Sequence, residues 1–475
     1  MKFSQIEKTI EAYREDIISG VKDLIKHEST EGEKEEGKPF GPEVADCLKD
    51  ALQLADDLGL KTENIDGYAG IVEMGSGEEM LGILCHLDIV PAGDDWSYPP
   101  FEGVIEEGKL YGRGVLDNKG PAVGVIYAMK ALKDLRVNLN KRLRLILGTN
   151  EESGFGGITY YCENAELPDI AFSPDAVYPV IHAEKGITIF DLIEKFTGGG
   201  EEDDSGRLKV VEIEGGNAPN MVPDRSLARL TGDYEYLQEK VEEFNENFAE
   251  KLELNRGDNF YHLVCHGVSA HGSKPGDGKN AISHLLGFLQ EIDLVEDDIT
   301  SFIHSYNELI GLDYHGQKIG CAMEDKVSGK LVFNVGQIEV DDEGAKVTVN
   351  IRYPVRKNVE EVYEKIEENI DEFGWKLREL RHKEPLFVEK DDDLVQSLMA
   401  VYRTATGDED AEPIAIGGGT YARAVPKGVA FGPLFPGEPE LAHQKDEYIK
   451  VDDLIRNAAI YTGAMIALAA DEDIE

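Results

Sequence analysis

Two histidines and a set of carboxylates stand in short polar motifs that break apolar or glycine-rich stretches of this chain: His86-Leu87-Asp88, Asp117-Asn118-Lys119-Gly120, Glu151-Glu152, Ser173-Pro174-Asp175 and, far downstream, His443. Imidazole nitrogens and carboxylate oxygens are ligands that a pair of zinc ions takes, and a further carboxylate beside such a pair can move protons in a hydrolysis. Each motif is ordinary by itself, because turns, surface glutamates and capping aspartates all occur without a metal. Position gives the set its weight. His86 follows the apolar run Met80–Cys85, Glu151 and Glu152 follow Leu143–Gly148, and Asp175 closes Ile170–Pro174.

The two-residue period of a strand puts His86 and Asp88 on one face, so Asp88 can support the imidazole or its neighbourhood from behind. Asp117 follows Tyr111-Gly-Arg-Gly114, whose small residues admit a close backbone approach, and its carboxylate can offer one oxygen to each of two ions. Of Glu151 and Glu152, one can ligate while the other accepts a proton from an attacking water and passes it to a leaving amine. Three carboxylates, a bridging hydroxide and two neutral imidazoles would balance two divalent ions, and a centre near neutrality can be buried.

These groups need a frame to bring them together. A chain of 475 residues, 41% of them hydrophobic, exceeds one ordinary core and predicts at least two domains. Apolar Ile6, Ile10, Tyr13, Ile17, Val21 and Leu24 predict one amphipathic first helix, and Pro42 opens a second carrying Val44, Leu48, Leu52, Ala55 and Leu58. Strand-length apolar runs then alternate with helices such as Ala122–Leu132, an α/β pattern in which functional groups sit at strand ends. The pattern changes near His182-Ala-Glu-Lys-Gly186. Beyond a strand-like Ile187–Phe196 comes the acidic glycine loop Gly198–Gly206, read as a solvated hairpin tip. Two strand-then-helix units follow, the first helix carrying Leu237, Val241, Phe244, Phe248 and Leu252, the second Val362, Ile366 and Ile370, which suggests an internal duplication. From about Glu384 the α/β signature resumes, with a helix around Leu394–Tyr402 and a final one after Asp452. The expected fold is therefore α/β, with a discontinuous catalytic domain over 1–184 and 384–475 and an inserted α+β domain over 185–383. That arrangement lets His443 return to the motifs between 86 and 175.

Composition excludes several function classes. The 94 acidic against 48 basic residues give a formal charge of −46, which repels phosphate backbones and anionic lipids, so neither nucleic acid nor a membrane is an expected partner. Five scattered cysteines without a Cys-x-x-Cys pair read as free thiols of a reducing compartment. The first residues run directly into the amphipathic helix, and the cytoplasm is the expected location. The uncharged run Asn457–Ala470 is shorter than the roughly 20 residues that span a bilayer and reads as a packed terminal helix.

Taken in order, the motifs resemble the dinuclear zinc peptidase family that includes aminoacylases, carnosinases and succinyl-diaminopimelate desuccinylases, most nearly its bacterial peptidase V-type dipeptidases. The residues that carry the likeness are His86–Gly93, Gly112–Pro121, Asn150–Gly154, Phe172–Asp175, Asn220–Pro223, Ser269–Pro275, Gly417–Tyr421 and His443–Glu447. The resemblance implies two zinc ions, with manganese or cobalt as substitutes. Asp117 would bridge them, His86 and Asp175 would complete one site, and Glu152 and His443 the other. It makes Glu151 the general base and gives the oxyanion to His271. It assigns substrate binding to Asn220, to Arg352 through a grip on a C-terminal carboxylate, and to backbone donors of Gly418, Gly419 and Thr420. Dipeptidase branches tend to carry Asp at the position of Asp175 and deacylases Glu, so small free dipeptides are the expected substrates. An enlarged inserted domain implies a monomer. The resemblance also implies a cis peptide at Asp117-Asn118. Asn118 departs from it, because peptidase V-type enzymes usually carry a second Asp there.

A rival enzymatic reading is an N-acyl-amino-acid deacylase or desuccinylase using the same metals and base. A peptide-binding protein on the same scaffold is the non-enzymatic rival. Retention of Glu151, His271 and five ligand positions disfavours the latter, since binding alone requires neither a base nor an oxyanion donor.

Overall fold

In this computed structural model the chain is described over residues 1–198, 206–247, 251–470 and 474. They form two compact units, one of Met1–Ala183, Leu386–Ala415 and Gly419–Glu475, the other of Glu184–Pro385 with Ile416–Gly418. Each has its own apolar core.

The first unit is built on a mixed sheet in the order Lys61–Ile65, Ala69–Gly75, Arg142–Gly148, Met80–His86, Ile170–Ser173, Gly428–Ala430, Ile181–Glu184, Leu386–Phe387. Its centre is parallel: Met80–His86 pairs in parallel with Arg142–Gly148 on one side and Ile170–Ser173 on the other, and Gly428–Ala430 continues parallel to Ile170–Ser173. Every residue of Met80–His86 is buried, as expected of a parallel strand covered on both faces. The covering helices include Lys119–Asp134 and Val451–Ala469, whose apolar residues merge into one core with those of Pro42–Asp57. Among the described residues no helix is long and apolar enough to cross a membrane.

Local chemistry sets these elements. Pro42 begins its helix at the first turn, where a missing N–H costs nothing, and Gly41 before it has φ +97°. A Cβ on Gly41 would lie 2.9 Å from the Gly32 Cα. Gly120 allows the helix Lys119–Asp134 to start directly against the preceding turn, because a Cβ there would run into the Val115 carbonyl. The predicted single first helix is two, Phe3–Glu11 and Arg14–Ile25. The chain turns at Tyr13, whose hydroxyl donates to Asp134 at 2.5 Å, while the apolar stripe on both pieces stays buried.

The second unit carries an antiparallel sheet in the order Lys251–Arg256, Tyr261–His266, Arg225–Thr231, Lys209–Gly215, Val332–Val340, Gly344–Tyr353, Gly186–Lys195, Lys376–Lys383. The duplication read from the sequence has a counterpart in this topology. Lys209–Gly215 and Arg225–Thr231 form a hairpin followed by the helix Tyr234–Asn247 and a strand two places farther out; Val332–Val340 and Gly344–Tyr353 do the same with the helix Val359–Ile370. The two halves meet at the Lys209–Gly215 and Val332–Val340 pair. Leu252 belongs to the strand Lys251–Arg256, not to the first of those helices, and Phe248 lies outside the described residues. Both the amide and the carbonyl of Leu252 bond the side chain of Asn245, which ties the strand back to the helix just left. The acidic glycine loop also falls largely outside the described residues. Its flanking strands pair with other strands rather than with each other, so it closes no hairpin.

Candidate metal centre

The parallel strands end where the polar motifs begin. His86 is the last residue of its strand, Asp88 follows two residues later, Glu151 and Glu152 follow Arg142–Gly148, and Asp175 follows Ile170–Ser173. The Asp117-Asn118 peptide is cis and stands immediately before the helix Lys119–Asp134. His443 comes from the loop between the short strands Pro433–Leu434 and Tyr448–Lys450 and has a left-handed φ of +65°. Non-glycine residues seldom adopt that conformation, and it recurs where a site demands it.

Asp117 lies between the two imidazoles. Its Oδ1 is 2.9 Å from His86 Nε2 and its Oδ2 is 3.2 Å from His443 Nε2. His86 Nε2 is also 3.4 Å from Asp175 Oδ1, and His443 Nε2 is 3.1 Å from Glu152 Oε2. Donors each about 2.0–2.1 Å from one tetrahedral zinc lie roughly 3.3 Å apart, so these separations suit two ions sharing Asp117. One donor atom from each of His86, Asp117 and Glu152 lies within 4.8 Å of the others. The donor set, imidazole nitrogen with carboxylate oxygen, fits zinc, manganese or cobalt.

Hydrogen bonds fix the side-chain orientations. His86 Nδ1 lies 3.0 Å from the Asp88 carbonyl, which can only accept, so Nδ1 carries the proton and Nε2 faces Asp117 and Asp175. The Asp88 carboxylate, its Oδ1 3.6 Å from His86 Nδ1, also reaches the next strand end: Oδ1 accepts from the Glu151 amide and Oδ2 from the Glu152 amide, each at 3.0 Å. One side chain thus holds both glutamates at the strand end.

The charges in the cluster act strongly on one another. Although burial favours a neutral ring, Asp117 and Asp175 push His86 well above the usual imidazole range. Hydrogen bonds to Asp117 and Glu152 push His443 up to about 11. Against the burial that would raise it, the two imidazoles hold the Asp117 carboxyl well below its ordinary value. Burial pushes Glu151 well above the carboxylate range, with Asp175, Glu152 and Asp117 adding repulsion and His86 opposing them. Burial likewise raises Asp175 to about 6.

The substrate-side residues of the sequence reading stand mainly in the second unit. The His271 and Asn220 segments are neighbours there: Gly272 N donates to Asn220 O at 2.7 Å and Met221 bridges His271. His271 Nδ1 lies 2.6 Å from Ser273 Oγ. Arg352 is buried, in contrast to an exposed strand arginine, and donates from Nε to Asn350 Oδ1 at 2.9 Å and from NH1 to Gly417 O at 3.2 Å. Gly418 belongs to the second unit and Gly419 and Thr420 to the first. Thr420 is buried and its hydroxyl accepts from Ala422 N at 3.2 Å, capping a short 3-10 turn.

Two residues without a role in the sequence analysis brace the turn and the loop around the cluster. Glu447 is fully buried and accepts from Arg113 NH1 at 2.6 Å, Leu116 N at 2.9 Å and Asp117 N at 3.2 Å. It clasps the turn that presents Asp117, and burial followed by repulsion from Asp117 raises it to about 7. Its only trace in the sequence is its place in the segment after His443; pairing with Arg113 spans 334 positions. Asp446, beside it, accepts from Ser97 N at 2.7 Å and anchors the same loop.

Comparison with known proteins follows the same lines. A family profile described as peptidase family M20/M25/M40 matches residues 82–467. The Bacillus subtilis protein named "Putative dipeptidase YtjP" is 38% identical over 466 residues, covering 96% of this chain and 98% of its own length. A Staphylococcus haemolyticus protein named "Putative dipeptidase SH1171" is 35% identical, covering 98% and 99%. In fold, the chain is similar to human carnosine dipeptidase 1, with a TM-score of 0.57, 14% identity and 98% coverage of both chains. It is similar also to the dipeptidase Dug1p of Saccharomyces cerevisiae, with a TM-score of 0.56, 12% identity and the same coverage.

Proposed function

The chain belongs to peptidase family M20/M25/M40, and from that premise we propose that it hydrolyses free dipeptides at a two-metal centre. The observation that carries this reading is Asp117 set between His86 and His443, one oxygen toward each, with Asp175 on one side and Glu152 on the other. His86, Asp117 and Asp175 would hold one ion, and Asp117, Glu152 and His443 the second. Zinc ions there, or manganese or cobalt in their place, would polarise the scissile carbonyl and acidify the attacking water.

Glu151 accepts the proton of that water and returns it to the departing amine. Asp88 holds the Glu151 and Glu152 backbone for this work. His271 donates to the oxygen on which charge develops. Asn220, Arg352 and the Gly418, Gly419 and Thr420 segment bind the substrate, with Arg352 suited to its C-terminal carboxylate. The first unit is then the catalytic domain and the second the lid. Five free thiols suit a reducing compartment, the cytoplasm, and we take the working form to be a monomer.

Full-length relatives named as dipeptidases support dipeptides over acylated amino acids, as does Asp175. The test is a panel of free dipeptides, tripeptides and N-acyl-amino acids, each assayed with zinc, manganese and cobalt. Dipeptides are expected to be cleaved fastest. A preference for N-acyl-amino acids would move the chain to the deacylase reading, and absence of turnover on every substrate would reject both.

A further inference from the structure

We propose that Asn118 is a positioning residue of the metal centre, holding Asp175 in place by donating hydrogen bonds that an aspartate could not supply. Asn118 is fully buried at the cis peptide after Asp117. Its Nδ2 donates to the Pro174 carbonyl at 2.6 Å and to Asp175 Oδ1 at 3.2 Å, while its Oδ1 accepts from the His86 amide at 3.4 Å. The surroundings leave the amide one orientation. Its nitrogen faces two acceptors and its oxygen faces a backbone N–H, and the reverse would set like against like.

This one side chain straps together the ends of two parallel strands, at His86 and at Asp175. Asp175 Oδ1, which Asn118 contacts, is also the oxygen 3.4 Å from His86 Nε2. A donor here therefore sets where the Asp175 carboxylate stands relative to the imidazole. An ionised aspartate at 118 would place an oxygen against the Pro174 carbonyl and another charge against Asp175. A neutral amide avoids both and adds no negative charge to the centre. Supporting hydrogen bonds to a ligand are worth about 10- to 100-fold in metal affinity.

The inference rests on the two-metal reading above, and the experiment separates them. Protein stripped with a chelator is titrated with Co2+, read by calorimetry and by the visible absorption of the bound ion. Wild type should bind two ions; fewer would reject the two-metal reading itself. Given two, N118A should lose about 10- to 100-fold at one binding step, with the other step and its spectrum retained. N118D should also bind one ion more weakly than wild type, because a carboxylate has no proton to donate. Retention of one unperturbed step marks a local effect, whereas a general folding defect would degrade both. Unchanged affinities in N118A would overturn the proposal. So would tighter binding in N118D, which would make charge, not donation, the property that matters at this position.

Discussion

The clasp made by Asp88 yields the sharpest prediction. Its carboxylate accepts one hydrogen bond from each of the Glu151 and Glu152 amides, both at 3.0 Å, in a setting where Asp88 is 2% exposed. Asp88→Asn keeps the shape but only one acceptor oxygen, and the new NH2 group meets the second amide donor to donor. The loss is one hydrogen bond to a charged group, about 1.5–3 kcal/mol, with a buried donor left unpaired. At about 1.4 kcal/mol per decade this corresponds to roughly a 10- to 100-fold fall in kcat/KM if the clasp holds the reactive geometry. Which parameter moves depends on which amide is released. Freeing Glu152 should lower metal content; freeing Glu151 should lower kcat with metal retained. Steady-state hydrolysis of a dipeptide under saturating metal, with metal counted by mass spectrometry, separates the two. A variant within twofold of wild type in kcat/KM and metal content would refute the argument that Asp88 orients the glutamates.

Three further outcomes are expected. Glu151→Ala should retain its metal and lose about 100- to 10,000-fold in turnover, and undiminished turnover would remove Glu151 as the base. His271→Ala should lower kcat by about 100- to 1,000-fold with metal content unchanged; equal activity would take it out of the mechanism. In metal-free protein His443, raised to about 11, carries a proton at pH 8 that an incoming ion must displace. Metal affinity should therefore rise with pH, and calorimetry in buffers of different ionisation enthalpy should register proton release. Uptake without proton release at pH 8 would contradict the pairing of His443 with Asp117 and Glu152.

Much of the catalytic frame is legible along the chain because parallel strands buried on both faces leave continuous apolar runs. Met80–His86, Arg142–Gly148 and Ile170–Ser173 announce themselves this way, and the polar residues after each then stand out. Helical stripes were also readable, although a stripe does not reveal a break: the buried face crosses Tyr13 while the backbone turns there. Leu252 shows the same limit, since a helical period can continue by chance into the next strand.

The sequence by itself determined the residue types, their strand-end positions and the interruption of the α/β pattern by a middle segment, because these follow from local periodicity and side-chain chemistry. Only the tertiary structure decided how the donors pair. His443 meets Glu152 across 291 positions and Arg113 meets Glu447 across 334, distances over which no local pattern operates. It also decided that the Asp88 carboxylate accepts from two backbone amides while its carbonyl meets the imidazole, and that Asn118 reaches Asp175. Hydrogen-bond partners inside a packed core are chosen by what the fold brings within about 3 Å, a matter of geometry that residue identity leaves open.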